Sequence, residues 1–448
     1  MAQKGAETEM NTRVKVVFPA NEPDAPSWPH IGYDVEKRST EVLSMLRHRL
    51  PELEFTGEVY RSPEQAEQAL KEETGNGQHR YDGYLVYMTA LWSRIAEIYV
   101  RNANPVIVAD ELYSGSGGFL QVYSRIKQEN LPAIGVASSN FEDIVDAVRL
   151  IDVMKQMREA KILVVADGET WGADQQTLES TQRLFGTQVT RMSAAELKAY
   201  YDATDTDQAC AWRDRWLREA LQVVEPDEGE LLRSARMYLA LRSAMADVQA
   251  DAVTVDCLGL FYGDKLPAYP CLGFFQLNNE GSTGVCEADV DSTLTQLLIR
   301  YLAGRPAYVS DPVIDMATDQ IVYAHCVATN RVFGPEGPAN PYIIRSHAED
   351  RKGASVQSLM PLGHQVTTAK VSVKNRAFAV HTGKAVANIA DEKACRTKLA
   401  AEVDAQRILD NYHSELFGWH RVTCYGDYRK QLIDLATLYG LKIIEEDR

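Results

Sequence analysis

The sequence of 448 residues lacks the features that mark several classes of protein. Basic residues are fewer than acidic ones, 47 against 63, and the formal charge of −16 argues against a general affinity for nucleic acid or anionic membranes. No apolar run approaches the ~20 residues that a membrane-spanning helix needs. The polar start, MAQKGAETEMNT, contains no apolar core of a signal peptide. We therefore expect a cytoplasmic protein with no nucleic-acid or membrane partner.

The spacing of cysteines shows no pairing pattern. The seven cysteines are scattered, and none stands in a C-x-x-C pair, so their spacing predicts neither a disulfide framework nor a zinc knuckle. We expect reduced thiols. Internal repeats and low-complexity segments are also absent from the sequence.

Strands and helices alternate in the sequence pattern of the first two thirds of the chain. The short apolar segments RVKVVFPA, YDGYLVYM, ANPVIVAD and LPAIGVAS are typical of strands, and stretches with helical apolar spacing separate them. A second series of this kind begins at AKILVVADGE. Such alternation predicts parallel sheets that are covered by helices on both faces. We predict two Rossmann-like α/β domains, residues 1–155 and 156–306.

The pattern changes after about residue 307. The segment PAYVSDPVIDMATDQIVYAHCVA predicts two strands joined at MATD, and GHQVTTAKVSVKNRAFAVHTGKAV predicts a hairpin that turns at Lys374 and Asn375. Helices are expected at DAQRILDNYHSEL and DYRKQLIDLATLYG. Residues 307–448 are therefore predicted to form a β-rich, barrel-like C-terminal domain.

Acidic residues stand at both ends of the segment GVCEADVDSTLTQLLIRYLAGRPAYVSDP, residues 284–312. Its apolar spacing predicts a strand, a helix that ends at Gly304, and a second strand. A right-handed crossover would make the two strands parallel. Glu287 and Asp311 would then meet at one carboxyl edge of the sheet, where open α/β sheets bind ligands.

Structural roles are the alternative explanation for these acids. Asp289 or Asp291 would cap the helix and interact favourably with the positive end of its dipole. Capping does not explain Glu287, which lies upstream, or Asp311, which lies on the next strand. For those two residues a salt bridge or an Asx turn remains open.

Histidines in the last third of the chain offer possible metal ligands. His325, in VYAHCVA, and His420, in GWHRVTCYG, have apolar neighbours, and such histidines are usually hydrogen-bonded core residues. Together with two carboxylates, however, they form an oxygen-and-nitrogen set suited to Mn²⁺ or a similar divalent cation. His347, in IIRSHAEDRKG, is expected in a polar pocket that binds substrate or in a solvated turn.

The segments CEADVDSTLT and AYVSDP resemble a pattern of the L-fucose isomerase and L-arabinose isomerase superfamily, E-x-D-x-x-x-x-x-T followed by a strand that ends in aspartate. The order of the predicted domains and the segment YGDYRKQLIDLATLYGLKIIEED are similar to that superfamily as well. The resemblance implies an Mn²⁺-dependent ketol isomerase in which Glu287, Asp311 and His420 bind the cation. It offers His325 as the further ligand of the arabinose isomerase type.

The resemblance also implies a reaction and an assembly. Glu287 and Asp311 would act as the catalytic acid/base pair that converts a free deoxy- or pentose-type sugar through an ene-diol. Trp92, in YMTALWSR, matches a region where the superfamily places an aromatic residue against the sugar, in some members from a neighbouring subunit; ordinary packing is the alternative. A homo-oligomer, trimer or hexamer, is expected. A glycoside hydrolase with the same carboxylate pair and a sugar-binding relative without turnover are the alternative functions.

Overall fold

The computed structural model of the chain describes residues 11–24, 26–75, 79–103 and 105–448. It divides into two units, of which the first comprises the described part of residues 1–156 together with residues 433–441. The second unit comprises residues 157–432 and 442–448. The predicted division into three domains, with a boundary at residue 306, stays a prediction. Among the helices of the described residues, none has the length and hydrophobicity that crossing a membrane requires.

A parallel sheet forms the centre of the first unit. The elements in chain order are β1 (Thr12–Pro19), α1 (Val35–Arg49), β2 (Leu53–Tyr60), α2 (Pro63–Thr74), β3 (Gly83–Met88), α3 (Ile95–Asn102), β4 (Val106–Asp110), α4 (Ser116–Glu129), β5 (Ala133–Val136) and α5 (Phe141–Glu159). The strand order is β2-β1-β3-β4-β5, and all pairings are parallel. Every residue of β3 and β4 is buried, as expected for central strands of a parallel sheet.

The second unit begins with another parallel sheet. Its elements are β6 (Lys161–Val165), α6 (Gln175–Phe185), β7 (Gln188–Met192), α7 (Ala194–Asp202), α8 (Thr206–Glu219), β8 (Gln222–Val223), α9 (Glu228–Val248), β9 (Ala252–Val255), α10 (Cys257–Tyr262), α11 (Cys271–Asn279), β10 (Thr283–Cys286) and α12 (Val290–Ala303). The strand order is β10-β9-β6-β7. These two parallel sheets confirm the predicted α/β class.

A closed barrel follows in the second unit. Its elements are β11 (Tyr308–Asp315), β12 (Gln320–His325), β13 (Tyr342–Arg345), β14 (Ser355–Ser358), β15 (Gln365–Ser372), β16 (Ala377–Asn388), β17 (Thr397–Glu402), α13 (Ala405–Asp410), α14 (Ser414–Phe417), β18 (Arg421–Tyr425), α15 (Arg429–Leu438) and β19 (Lys442–Glu445). Six antiparallel strands run in the order β15-β18-β11-β12-β17-β16, and pairing of β15 with β16 closes the ring. The predicted β-rich, barrel-like part and its hairpin at Lys374 and Asn375 are confirmed. β13 and β14 lie outside the barrel, in a small sheet with β8.

One expectation about the strands is wrong. β10 and β11 are not parallel neighbours, because β10 pairs with β9 in the parallel sheet whereas β11 pairs antiparallel with β12 and β18. The intervening helix α12 does end at Gly304, which adopts the left-handed conformation. The hydrophobic pattern identifies β11 as a strand but carries no information on which sheet receives it. The hairpin with β12 gives β11 its partner in the barrel.

A buried ion pair joins β18 to the residue that follows β19. The side chains of Arg421 and Glu446 are fully buried, with Nη2 and Oε1 2.7 Å apart. Burial alone would raise the pKa of Glu446, but the charge of Arg421 and the hydrogen bond with His381 lower that pKa to about 2. Glu446 therefore remains ionised at pH values where a glutamate of the unfolded chain is protonated.

We expect the Glu446→Gln variant to be less stable than the parent protein at neutral pH by about 3 kcal/mol, since one pKa unit corresponds to about 1.4 kcal/mol. The folded-state pKa is depressed, so this stabilisation is present above the ordinary value of 4.5 and is lost as the pH falls towards 2. Chemical denaturation at several values between about pH 7 and about pH 3 would measure the free energy of unfolding. The difference between the two proteins should shrink as the pH falls, and a constant or growing difference would contradict the assignment.

Candidate functional site

Four neighbouring strands of the barrel each contribute one polar side chain to a single cluster. Lys370 lies on β15, His420 directly precedes β18, Asp311 lies on β11, and His325 ends β12. A fifth side chain, that of Glu287, comes from the turn after β10. The cluster therefore assembles where the parallel sheet of the second unit meets one end of its barrel.

His420 is the centre of the cluster and is only 4% exposed. Its Nδ1 lies 2.9 Å from Oδ2 of Asp289, and its Nε2 lies 3.2 Å from Oδ1 of Asp311 and 3.5 Å from Oε2 of Glu287. Burial alone would lower the pKa of His420. Hydrogen bonds to Asp289 and Asp311, with the charge of Glu287, instead raise that pKa to about 10. The raised pKa favours the positively charged form of the imidazole beside these carboxylates.

Asp289 fixes the ring of His420 through its hydrogen bond with Nδ1. Its Oδ2 also accepts hydrogen bonds from Nζ of Lys370 at 2.5 Å and from Oγ of Ser292 at 2.6 Å. Its Oδ1 accepts the backbone N–H of Ser292, which confirms that Asp289 caps α12. Burial alone would raise the pKa of Asp289, but the charge of Lys370 and the hydrogen bond from His420 lower it. An ionised Asp289 keeps the proton on Nδ1 and leaves Nε2 facing Glu287 and Asp311.

The turn that carries Glu287 has a strained backbone. Glu287 and Ala288 have φ angles of 64° and 51°, in the left-handed region that residues with a Cβ rarely adopt. Such a conformation costs about 1–3 kcal/mol per residue and persists only where neighbours enforce it. The backbone N–H of Ala288 donates to the carbonyl of Val255 at 2.9 Å, and a Cβ on Gly172 would come within 2.8 Å of the Ala288 oxygen. The loop after β6 and the end of β9 thus fix this turn.

Glu287, His325 and His420 together can hold a metal ion. Each offers one ligand atom, and these atoms all lie within 4.8 Å of one another. His325 is 2% exposed, and its Nε2 has no hydrogen-bond partner among the described residues. A buried polar atom left without a partner costs about 1–3 kcal/mol, which a bound cation would offset. One carboxylate and two imidazoles form a donor set that suits first-row divalent metals, so the residues present fit such a cation.

Asp311 adjoins the candidate metal ligands through its contact with His420. The pKa of Asp311 is shifted in the opposite direction from that of Glu287. Burial alone would raise the pKa of Asp311, but the hydrogen bond from His420 and the charge of His325 lower it. Burial raises the pKa of Glu287, and the charges of His420 and His325 offset that effect only in part. Two neighbouring carboxyl groups whose pKa values shift in opposite directions are typical of acid/base pairs.

Sequence reasoning missed two residues of the site. Trp171 is 58% exposed, and its ring centroid lies 5.6 Å from that of His420. Its signal was the polar turn DGETWGAD directly after a buried strand, at the strand end where α/β sheets bind ligands. Lys370 is 1% exposed, and its signal was a lysine within the otherwise apolar and hydroxyl-bearing strand QVTTAKVS.

The two predicted substrate-binding residues belong to different units. Trp92 belongs to the first unit, in the loop between β3 and α3, where it is 57% exposed and has a φ of 63°. His347 follows β13 in the second unit, stacks on Tyr269 with ring centroids 4.6 Å apart, and lies near the thiol of Cys326, the residue after His325. Substrate binding by Trp92 and His347 stays a prediction.

Cysteines that are far apart in sequence come together in the second unit. The thiols of Cys257 and Cys271 lie near that of Cys286 and raise its pKa, and the thiol of Cys395 lies near that of Cys326 and lowers its pKa. All seven cysteines are free thiols, as expected. Cys395 also lies 3.7 Å from Oδ2 of Asp311, which places weakly polar sulfur atoms along one side of the candidate site.

The chain is similar to known sugar isomerases over about two thirds of its length. No protein-family model matches it. Two curated proteins named sulfoquinovose isomerase, from Priestia aryabhattai and from Priestia megaterium (strain ATCC 12872 / QMB1551), are each 23% identical to it over 310 residues. The alignments cover 67% of this chain and 68% of each relative. These names are compatible with the predicted isomerase superfamily and do not establish the fucose or arabinose isomerase family.

Two solved structures show weak similarity to the chain. One is an ABC transporter solute-binding protein from Burkholderia multivorans, 10% identical, with a TM-score of 0.20 and coverage of 66% of this chain and 95% of its own. The other, from Bacillus halodurans C-125, contains bound myo-inositol; it is 14% identical, with a TM-score of 0.18 and coverage of 66% and 91%. Similarity at this level carries no argument about fold or function.

We expect the metal-free protein to bind one divalent cation per chain in isothermal titration calorimetry. The His325→Ala variant should bind it more than about tenfold more weakly, because even partners of a metal ligand contribute 10–100-fold to affinity. His413→Ala is the matched control, since His413 is an exposed histidine paired with Glu415. Equal affinity of His325→Ala and the parent protein would remove His325 from the ligand set.

Proposed function

We propose that the protein is a metal-dependent aldose–ketose isomerase that acts on a free sugar. The observation that carries the proposal is the close group of Glu287, His325 and His420 beside Asp311, with the two carboxyl groups shifted to opposite pKa directions. The sequence similarity to proteins named sulfoquinovose isomerase supports a sugar isomerase at 23% identity. The cation we propose is Mn²⁺, as the superfamily resemblance implies.

The proposed substrate is a deoxy- or pentose-type sugar in its free form. This class follows from the resemblance to fucose and arabinose isomerases, and the name of the relatives adds sulfoquinovose as a sugar to be tested. Trp171 supports a sugar site, because an exposed indole beside His420 offers an apolar face on which the C–H groups of a sugar can pack. His347 is retained as a proposed substrate-binding residue.

Glu287 is the proposed base. Isomerisation moves one proton between C1 and C2 of the sugar by way of an ene-diol, so the group that removes the C2 proton must also return it to C1. Burial raises the pKa of Glu287 above its ordinary value, which makes the carboxylate a stronger base for accepting and then donating a proton. The side chain is 24% exposed, so a substrate can reach it. A bound divalent cation would supply Lewis-acid polarisation of the sugar oxygens.

Asp311 and Asp289 have different proposed tasks. Asp311 is ionised before reaction because its pKa is lowered, and we propose that it accepts the hydroxyl proton from O2 and then donates it to O1. Asp289 is fully buried and already accepts four hydrogen bonds, from Ser292, Lys370 and His420, so we propose that it orients His420 and does not exchange protons with the substrate.

We expect Glu287→Gln to retain its fold and to lose turnover by about 10²–10⁴-fold, the usual contribution of a general base. Each protein is incubated with Mn²⁺ and candidate aldoses in D₂O, and NMR follows deuterium incorporation at C2. Glu415→Gln, at an exposed glutamate, is the control and should exchange at the parent rate. If Glu287→Gln exchanges as fast as the parent, another group is the base; if the parent exchanges with no sugar, isomerase function is refuted for those sugars.

The proposed assembly is a homo-oligomer, trimer or hexamer, in which Trp92 of one subunit completes the pocket of another. Its support is the superfamily resemblance together with the exposure of Trp92 at the carboxyl end of β3. Light scattering at micromolar concentration should give a mass of at least three chains. Trp92→Ala should lower kcat/KM without changing that mass, whereas Trp28→Ala, at a second exposed tryptophan of the first unit, should not. A monomer would contradict the proposal.

A further inference from the structure

The three residues before β18, which present His420 to the site, have their backbone carbonyls held by side chains. Nη1 of Arg421 donates to the carbonyl of Gly418 at 3.1 Å and to that of His420 at 3.0 Å. The hydroxyl of Tyr412 donates to the carbonyl of Trp419. Two side chains therefore donate hydrogen bonds to all three carbonyls, and Arg421 donates to two of these carbonyls.

Arg421 is itself fixed by partners on every side. Its Nε and Nη2 lie 3.1 Å and 2.7 Å from Oε1 of Glu446, and the ring of Tyr412 lies 3.9 Å from the guanidinium carbon. The other oxygen of Glu446 lies 2.8 Å from Nδ1 of His381, whose Nε2 lies 2.7 Å from the hydroxyl of Tyr323. Arg421, Glu446, His381 and Tyr323 are all buried, so water cannot replace a missing member of this chain of contacts at low cost.

This buried chain leads back to the candidate metal site. Tyr323 and His325 stand two residues apart on β12, and side chains at that spacing point to the same face of a strand. The ring of His325 lies 5.9 Å from that of His420. The network thus begins at Tyr323, on the same strand as His325, and ends at Arg421, which fixes the backbone that carries His420.

We propose that Glu446, acting through Arg421, is a positioning residue that holds the backbone of Gly418–His420 and thereby sets the position of the His420 ring for cation binding. The inference rests on the proposed metal site. Loss of the Glu446 charge would leave the guanidinium of Arg421 buried without its counterion. The guanidinium would then reorient, and the carbonyls of Gly418 and His420 would lose their common donor. Glu446 would contact neither cation nor substrate, so its effect would be exerted wholly through Arg421.

The test is the affinity of the metal-free, full-length protein for Mn²⁺, measured by isothermal titration calorimetry and by the EPR signal of free Mn²⁺. Glu446→Gln should raise the Kd by about 10–100-fold, the effect typical of groups that orient metal ligands. Asp447→Asn is the matched control, because Asp447 is the next residue and pairs with Arg429. Its Kd should stay within about threefold of the parent value. With saturating Mn²⁺, kcat of Glu446→Gln should recover.

A milder variant covers the case in which Glu446→Gln does not fold. Tyr412→Phe removes one hydroxyl and leaves its ring beside Arg421, and it should raise the Kd in the same direction by a smaller factor. An unchanged Kd in both variants, or an equal increase in Asp447→Asn, would overturn the inference and leave a purely structural ion pair. No Mn²⁺ binding by the parent protein would overturn the proposed function, and this inference with it.

Discussion

The candidate site depends on one buried arrangement, an imidazole held between two carboxylates. His420 lies between Asp289 and Asp311, and all three side chains are at least 85% removed from water. Charges that leave water are stable only when they are paired and hydrogen-bonded. Lys370 supplies a further positive charge behind Asp289. Misplacing any one member would leave a buried charge uncompensated, so this balance constrains the elements that carry the site.

The paired charges around His420 come from two different sheets of the second unit. Asp289 caps the helix that follows the parallel sheet, whereas His420, Asp311 and Lys370 belong to the barrel. The pairing of these charges therefore ties the packing of the sheet and the barrel in the second unit to the geometry of the site. The strained turn at Glu287 follows from the same demand, because the chain must leave β10, place a carboxylate near His420 and start a capped helix within three residues. Gly172 and the backbone carbonyl of Val255, which both approach Ala288, enforce the conformation of this turn.

Features that depend on neighbouring residues in the sequence, such as strands and helix caps, could be predicted. Short apolar runs identified the central strands of both parallel sheets, two strand–turn–strand patterns identified β11, β12, β15 and β16 of the barrel, and the aspartate before an apolar helix identified its cap, whereas β2, β7 and β17 were not recognised. The four residues Glu287, Asp311, His325 and His420 could be selected because carboxylates and histidines are rare on apolar strands and directly beside them. Such patterns do not determine which distant strands pair with each other, and β11 was therefore assigned to the wrong sheet. The same limit applies to Lys370 and Trp171, since nothing local states that they lie beside His420.

The acidic segment CEADVD shows how partners determine the task of a carboxylate. Asp289 is saturated with donors and a positive charge, so its pKa falls and it serves to orient His420. Asp291 is partly buried and accepts the backbone N–H of Val373 at 3.2 Å, and removal from water raises its pKa to about 7. Glu287 is partly open to solvent, sits on strained backbone and keeps a raised pKa beside two imidazoles. Of the three acids, only Glu287 combines access, basicity and freedom from fixed hydrogen bonds, which are the properties that proton transfer to a bound sugar demands.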